Sequence, residues 1–71
     1  MKYVVIYEKT GNGYSCYAPD LPGCVAAGDD LAETKSLMER AIELHLAGMR
    51  EDGDTILEPT TSAEYLEVRV A

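Results

Sequence analysis

Three sets of side chains in this sequence have types and spacings that could do chemistry. Cys16 and Cys24 stand on either side of a stretch holding Pro19, Asp20, Pro22 and Gly23. A metal site would want closer thiol pairs and more ligands than one such pair and the single histidine, His45, provide. A disulfide is disfavoured in the cytoplasmic setting expected for this chain, and a turn at 20–23 puts the two thiols out of register on neighbouring strands. The pair therefore reads as two small, semi-buried apolar side chains. His45 could act as a general base or a ligand, but no Cys or Ser lies near it in sequence. Its expected place is the core margin, hydrogen-bonded to a strand or loop carbonyl. Asp20, Asp29 and Asp30 could meet at one end of a sheet and hold Mg²⁺ for phosphoryl chemistry. Neither a glycine-rich phosphate loop nor a neighbouring basic group supports that use, and Asp29 and Asp30 have a simpler one as helix caps.

The elements that must carry these residues follow from pattern. Residues 2–9, KYVVIYEK, are β-branched and aromatic, and Asn12-Gly13 signals a hairpin. Residues 14–19 form the return strand, with Pro19 at its end because proline cannot donate to a ladder. Residues 24–28 form a short third strand. Asp30 followed by Glu33 resembles a capping box, and opens a helix expected from about Leu31 to about Glu51, with Gly53 as its stop. Residues 54–62 connect to YLEVRV at 65–70, whose clean alternation predicts a half-buried fourth strand. The order is β-β-β-α-β, an α+β single domain over residues 1–71.

On the helix, Leu31, Thr34, Met38, Ala41, Ile42, His45 and Met49 share one face, the stripe of a helix packed on a sheet. Leu37, Leu44 and Gly48 form a ledge at its margin. On the last strand Leu66, Val68 and Val70 are assigned to the helix side. The first strand is apolar on both sides, Val4 and Ile6 on one and Tyr3, Val5 and Tyr7 on the other, which is the pattern of a strand covered twice. One helix covers one face only. The other, assigned to Tyr3, Val5, Tyr7 and Tyr65, is then expected to meet a partner or a second copy, a use that suits tyrosine's apolar body and polar tip.

Bulk composition bounds the rest. At 71 residues the chain is one small domain, a size at which oligomerisation, a metal or disulfides often supplement the core. Thirteen acidic residues against six basic ones give a net charge of −7. That argues against direct nucleic-acid binding, which needs a basic surface, and fits either simple solubility or a basic protein partner. No membrane span, no signal peptide and no cofactor is expected.

Beyond these readings, the sequence resembles the HicB family of antitoxins over nearly its whole length. The resemblance rests on an ordered series: Tyr17, Asp20-Leu21-Pro22-Gly23-Cys24, Gly28-Asp29, Glu43-Leu44-His45-Leu46, Gly48-Met49 and Glu51-Asp52-Gly53. Asp30, Thr34 and Ala47 depart from the residues the family usually has there, at positions that look structural. The resemblance implies a partial ribonuclease H-like fold, with the last strand parallel beside the first in a four-stranded mixed sheet of order 3-2-1-4. It also implies a non-enzymatic protein that inhibits a HicA-type toxin, a small basic mRNA-cleaving ribonuclease. Many HicB proteins carry a C-terminal DNA-binding domain; no helix-turn-helix or ribbon-helix-helix segment is seen in residues 1–71, so no separate DNA-binding domain is expected.

Two other readings stand beside this one. The chain could be a homo-oligomeric binding or structural protein without a toxin, or a metal-dependent nuclease on a ribonuclease H-like scaffold. The nuclease would need several carboxylates converging on two metals, and the first strand offers only Glu8, near its end. The residues expected to meet a partner are Tyr17, Asp20, Leu21 and Pro22, on a loop that two prolines stiffen before docking.

Overall fold

A computed structural model describes residues 1–71. Three strands come first: β1 (Ile6–Lys9), β2 (Tyr14–Tyr17) and β3 (Val25–Gly28). They form an antiparallel meander in the order β1-β2-β3. The helix α1 (Leu31–Glu51) follows and lies over β3 and β2 rather than β1. At 1.5 Å per residue it is about 31 Å long.

The hairpin between β1 and β2 pairs Lys9 with Tyr14. Its loop is therefore Thr10 to Gly13, closed by the Thr10 N–H donating to the Gly13 carbonyl at 2.8 Å. This is wider than a two-residue turn on Asn12-Gly13, and Asn12 keeps a negative φ. Gly28, at the end of β3, has a different role. A Cβ there would stand 2.8 Å from the Thr34 hydroxyl and 3.0 Å from its backbone nitrogen, so only glycine lets the strand end meet the first turn of α1.

Both ends of α1 are capped as the sequence predicts. Asp30 is extended, and its carboxylate accepts from the Glu33 N–H at 2.8 Å. The Glu33 carboxylate reaches back to the Asp29 N–H at 3.2 Å, one residue short of an ideal capping box. At the far end Gly53 has φ 77°. The Gly53 N–H donates to the Arg50 carbonyl and the Asp54 N–H to the Met49 carbonyl, the bonding pattern of a Schellman stop.

The buried core consists of Cys16, Ala18, Leu21, Cys24 and Met38, with Thr34 beside it. Ala41, Ile42, Leu46 and Met49 of α1 pack on this cluster; with Thr34 and Met38 they bear out the expected helix face except at the half-exposed Leu31 and the half-buried His45, and Leu46 is added.

Two expectations are corrected. Tyr3, Val5 and Tyr7 pack against the core cluster on the helix side, not on the far face. The register shows why. Tyr7 pairs with Cys16, which pairs with Ala26, and a large ring fills the space beside two small side chains under the helix. The far face instead carries Ile6, Tyr17 and Val25 in one cross-strand row. Second, the expected fourth strand does not form, so the sheet has three strands and no β1 neighbour at position 4. Residues 65–70 join no sheet, and Tyr65, Leu66, Val68 and Val70 are all largely exposed. Alternation marks a segment fit for a strand, but it does not supply the edge that segment pairs with.

Shape follows from this tail. The radius of gyration is 14.3 Å and the extents are 52 × 27 × 16 Å, whereas a compact chain of this length would have a radius near ~11 Å.

Candidate functional site

The loop between β2 and β3 is built from two consecutive turns. The Leu21 N–H donates to the Ala18 carbonyl, and the Cys24 N–H to the Leu21 carbonyl, both at 3.0 Å. Pro19 and Pro22 each occupy the second turn position, where a fixed φ near −65° is preorganised. Gly23 has φ 84°, the left-handed value required at the third position of a type II turn. The Ala18 N–H closes the loop on the Cys24 carbonyl at 3.3 Å.

Asp20 sits at the tip of the first turn and clasps the segment that follows the helix. Its carboxylate accepts from the Thr61 N–H at 3.1 Å and hydroxyl at 2.9 Å, and from the Thr60 N–H and hydroxyl, each at 3.3 Å. The bonds from Thr61, backbone first, hold the Asp20 carboxyl below its ordinary pKa, and those from Thr60 add to the effect. The two threonines were not singled out from sequence; a Thr-Thr pair after a proline is too common a connector to point to one distant carboxylate.

The residues expected to meet a partner thus divide. Tyr17 and Pro22 are exposed. Leu21 is 4% exposed and belongs to the core, so its side chain is not offered to a partner. It turns inward because the successive turns at 18–21 and 21–24 fold it over Met38 and the two thiols. Asp20 spends its acceptors within the chain. Tyr65 is fully exposed, far from the half-buried Tyr3, Val5 and Tyr7 in character.

The remaining chemical candidates do not assemble. Cys16 and Cys24 are both buried free thiols. Cys16 pairs with Ala26, not with Cys24. Burial raises the pKa of both, so they are held as unreactive thiols. His45 is half-buried on α1 and makes none of the expected hydrogen bonds to a carbonyl. Asp29 and Asp30 serve the helix N-terminus while Asp20 holds Thr60 and Thr61. No three His, Cys, Asp or Glu side chains gather as a metal-holding group. No helix is long and apolar enough to cross a membrane.

The β2–β3 connection is thus a preformed loop, with Tyr17 before it and Pro22 on it both exposed. Residues 3–69 match the family model described as the HicB-like antitoxin of bacterial toxin-antitoxin systems. The chain belongs to the HicB-like antitoxin family. Among curated relatives, it is 36% identical over 66 residues to an uncharacterized 14.9 kDa protein from the rep-hol intergenic region of Haemophilus phage HP1, an alignment covering 93% of this chain and 50% of the relative. It is 38% identical over 47 residues to a UPF0150 protein of Helicobacter pylori strain J99, covering 66% of this chain and 65% of the relative. This HicB-like chain therefore spans half to two thirds of the relatives it matches. No solved structure matches it.

Proposed function

We propose that this chain is the toxin-binding module of an antitoxin, which docks and inhibits a small basic HicA-type mRNA-cleaving toxin in the cytoplasm. The observation that carries the reading is the family match over residues 3–69. The net charge of −7 fits it: an acidic protein supplies to a basic RNA-binding surface the negative potential that RNA would supply. The role is binding, not catalysis, and the chain does not itself take up nucleic acid. Tyr17 and Pro22 form the contact, on a loop that Asp20 and Leu21 hold in shape. The partial ribonuclease H-like sheet of order 3-2-1-4 is the fold that the family likeness implies, and it belongs to the same reading.

Titration of a HicA-type ribonuclease with the purified chain tests this. RNA cleavage should stop at a stoichiometric ratio, and a Tyr17→Ala, Pro22→Ala double variant with an unchanged circular dichroism spectrum should inhibit less. Cleavage that persists in excess antitoxin would refute the toxin assignment.

A further inference from the structure

The tail and the free side of the sheet are each half of an unmade interaction. Residues 65–70 alternate Tyr65, Glu67 and Arg69 with Leu66, Val68 and Val70, yet these apolar side chains are 74%, 78% and 87% exposed. No backbone hydrogen bond of ladder, turn or loop reaches them. At the other end of the chain, β1 is an edge strand bonded only to β2, and the helix lies over the opposite side of the sheet. Residues 4–7 and 63–65 line one shallow groove, so the tail starts beside β1 and then leaves it.

We propose that residues 65–70 of one molecule add as a fourth strand to the β1 edge of a second copy, and that the two copies exchange tails reciprocally about a two-fold axis. Reciprocal exchange satisfies both vacant elements of both chains with one symmetric contact. Charge selects the tail over the alternative of two β1 edges meeting. Lys9 ends β1 and Lys2 lies ahead of it; in the register that centres an antiparallel pair on residues 5 and 6 lysine would face lysine, and edge lysines deter such pairing. The tail instead brings Glu64 and Glu67. A core of five residues also leaves the isolated chain short of buried surface. This inference goes beyond the toxin reading and stands without it.

The test uses two variants that spare the isolated fold. Val68→Pro acts in an exposed tail that makes no backbone bond, and Val4→Pro acts just ahead of β1, in the run 4–7 that lines the groove with the start of the tail and outside the stretch paired with β2. Each removes a donor from one half of the exchange. Light scattering of the parent chain should give twice 7.7 kDa, and each variant alone should give the single-chain mass with its helical circular dichroism retained. Mixing the two variants should restore a dimer, because one chain keeps an intact tail and the other an intact edge. A parent chain that stays at 7.7 kDa across a concentration series, or a Val68→Pro variant that remains dimeric, would overturn the exchange.

Discussion

Asp20 and Leu21 are neighbours with opposite tasks, and single substitutions should separate them. Leu21 is buried among Cys16, Cys24 and Met38, so Leu21→Ala should cost about 2–4 kcal/mol by transfer and cavity formation, read as a lowered midpoint in urea. A midpoint unchanged from the parent would show that the loop closes without its leucine. Asp20 is partly exposed and acts through charge. Its pKa is lowered in the folded chain by the Thr61 and Thr60 bonds, so the clasp is fully present above the unfolded carboxylate value of about 3.9 and is lost as pH falls through the lower folded value. The amide resonances of Thr60 and Thr61 should therefore titrate together, with a midpoint below that ordinary value, and Asp20→Asn should abolish the transition. A midpoint at the ordinary value would mean the clasp is not formed in solution. From the sequence, the loop's shape was readable, because Pro19, Pro22 and Gly23 each have one conformational use. The inward turn of Leu21 was not, since a hydrophobic residue at a turn carries no mark of which way it faces.

At the scale of elements, α1 is the best-determined part of the fold because its limits rest on local chemistry. Asp30→Ala removes the acceptor for the Glu33 N–H at 2.8 Å and should cost about 1 kcal/mol, a fall in melting temperature of several degrees for a domain this small. The capping rule fails here if melting is unchanged. The helix was legible to within its caps, and the three strands of the meander were legible in place and order but not in length: residues 2–5 lie outside β1, and 18–19 outside β2. What local pattern did not resolve was the facing of β1. Tyr3, Val5 and Tyr7 on one side and Val4 and Ile6 on the other are similarly apolar, so alternation alone gave no inside. Cross-strand register settled it, through the small Cys16 and Ala26 beneath the helix. A doubly apolar strand still signals two covered faces, and the row Ile6, Tyr17 and Val25 remains the outer one.

For the whole molecule, the strand character of residues 65–70 was legible but its place was not, because a strand's partner can belong to another chain. Two kinds of association then compete for the description of this protein, and salt separates them. Tail exchange brings together two chains that each carry a net charge of −7; their repulsion acts over roughly 10 Å at 0.1 M salt and over about 30 Å at 0.01 M. Docking on a basic toxin joins opposite charges, so its attraction is screened over the same range. Raising sodium chloride from low to physiological strength should therefore tighten or leave unchanged the self-association read by sedimentation, while it slows association with a HicA-type toxin read by stopped flow. Net charge sets the sign of each response unless pairs at the contact outweigh it. Self-association that weakens with salt would show that local pairs, such as Lys2 or Lys9 against Glu64 or Glu67, outweigh the net repulsion. A toxin encounter indifferent to salt would remove the electrostatic basis for an acidic inhibitor.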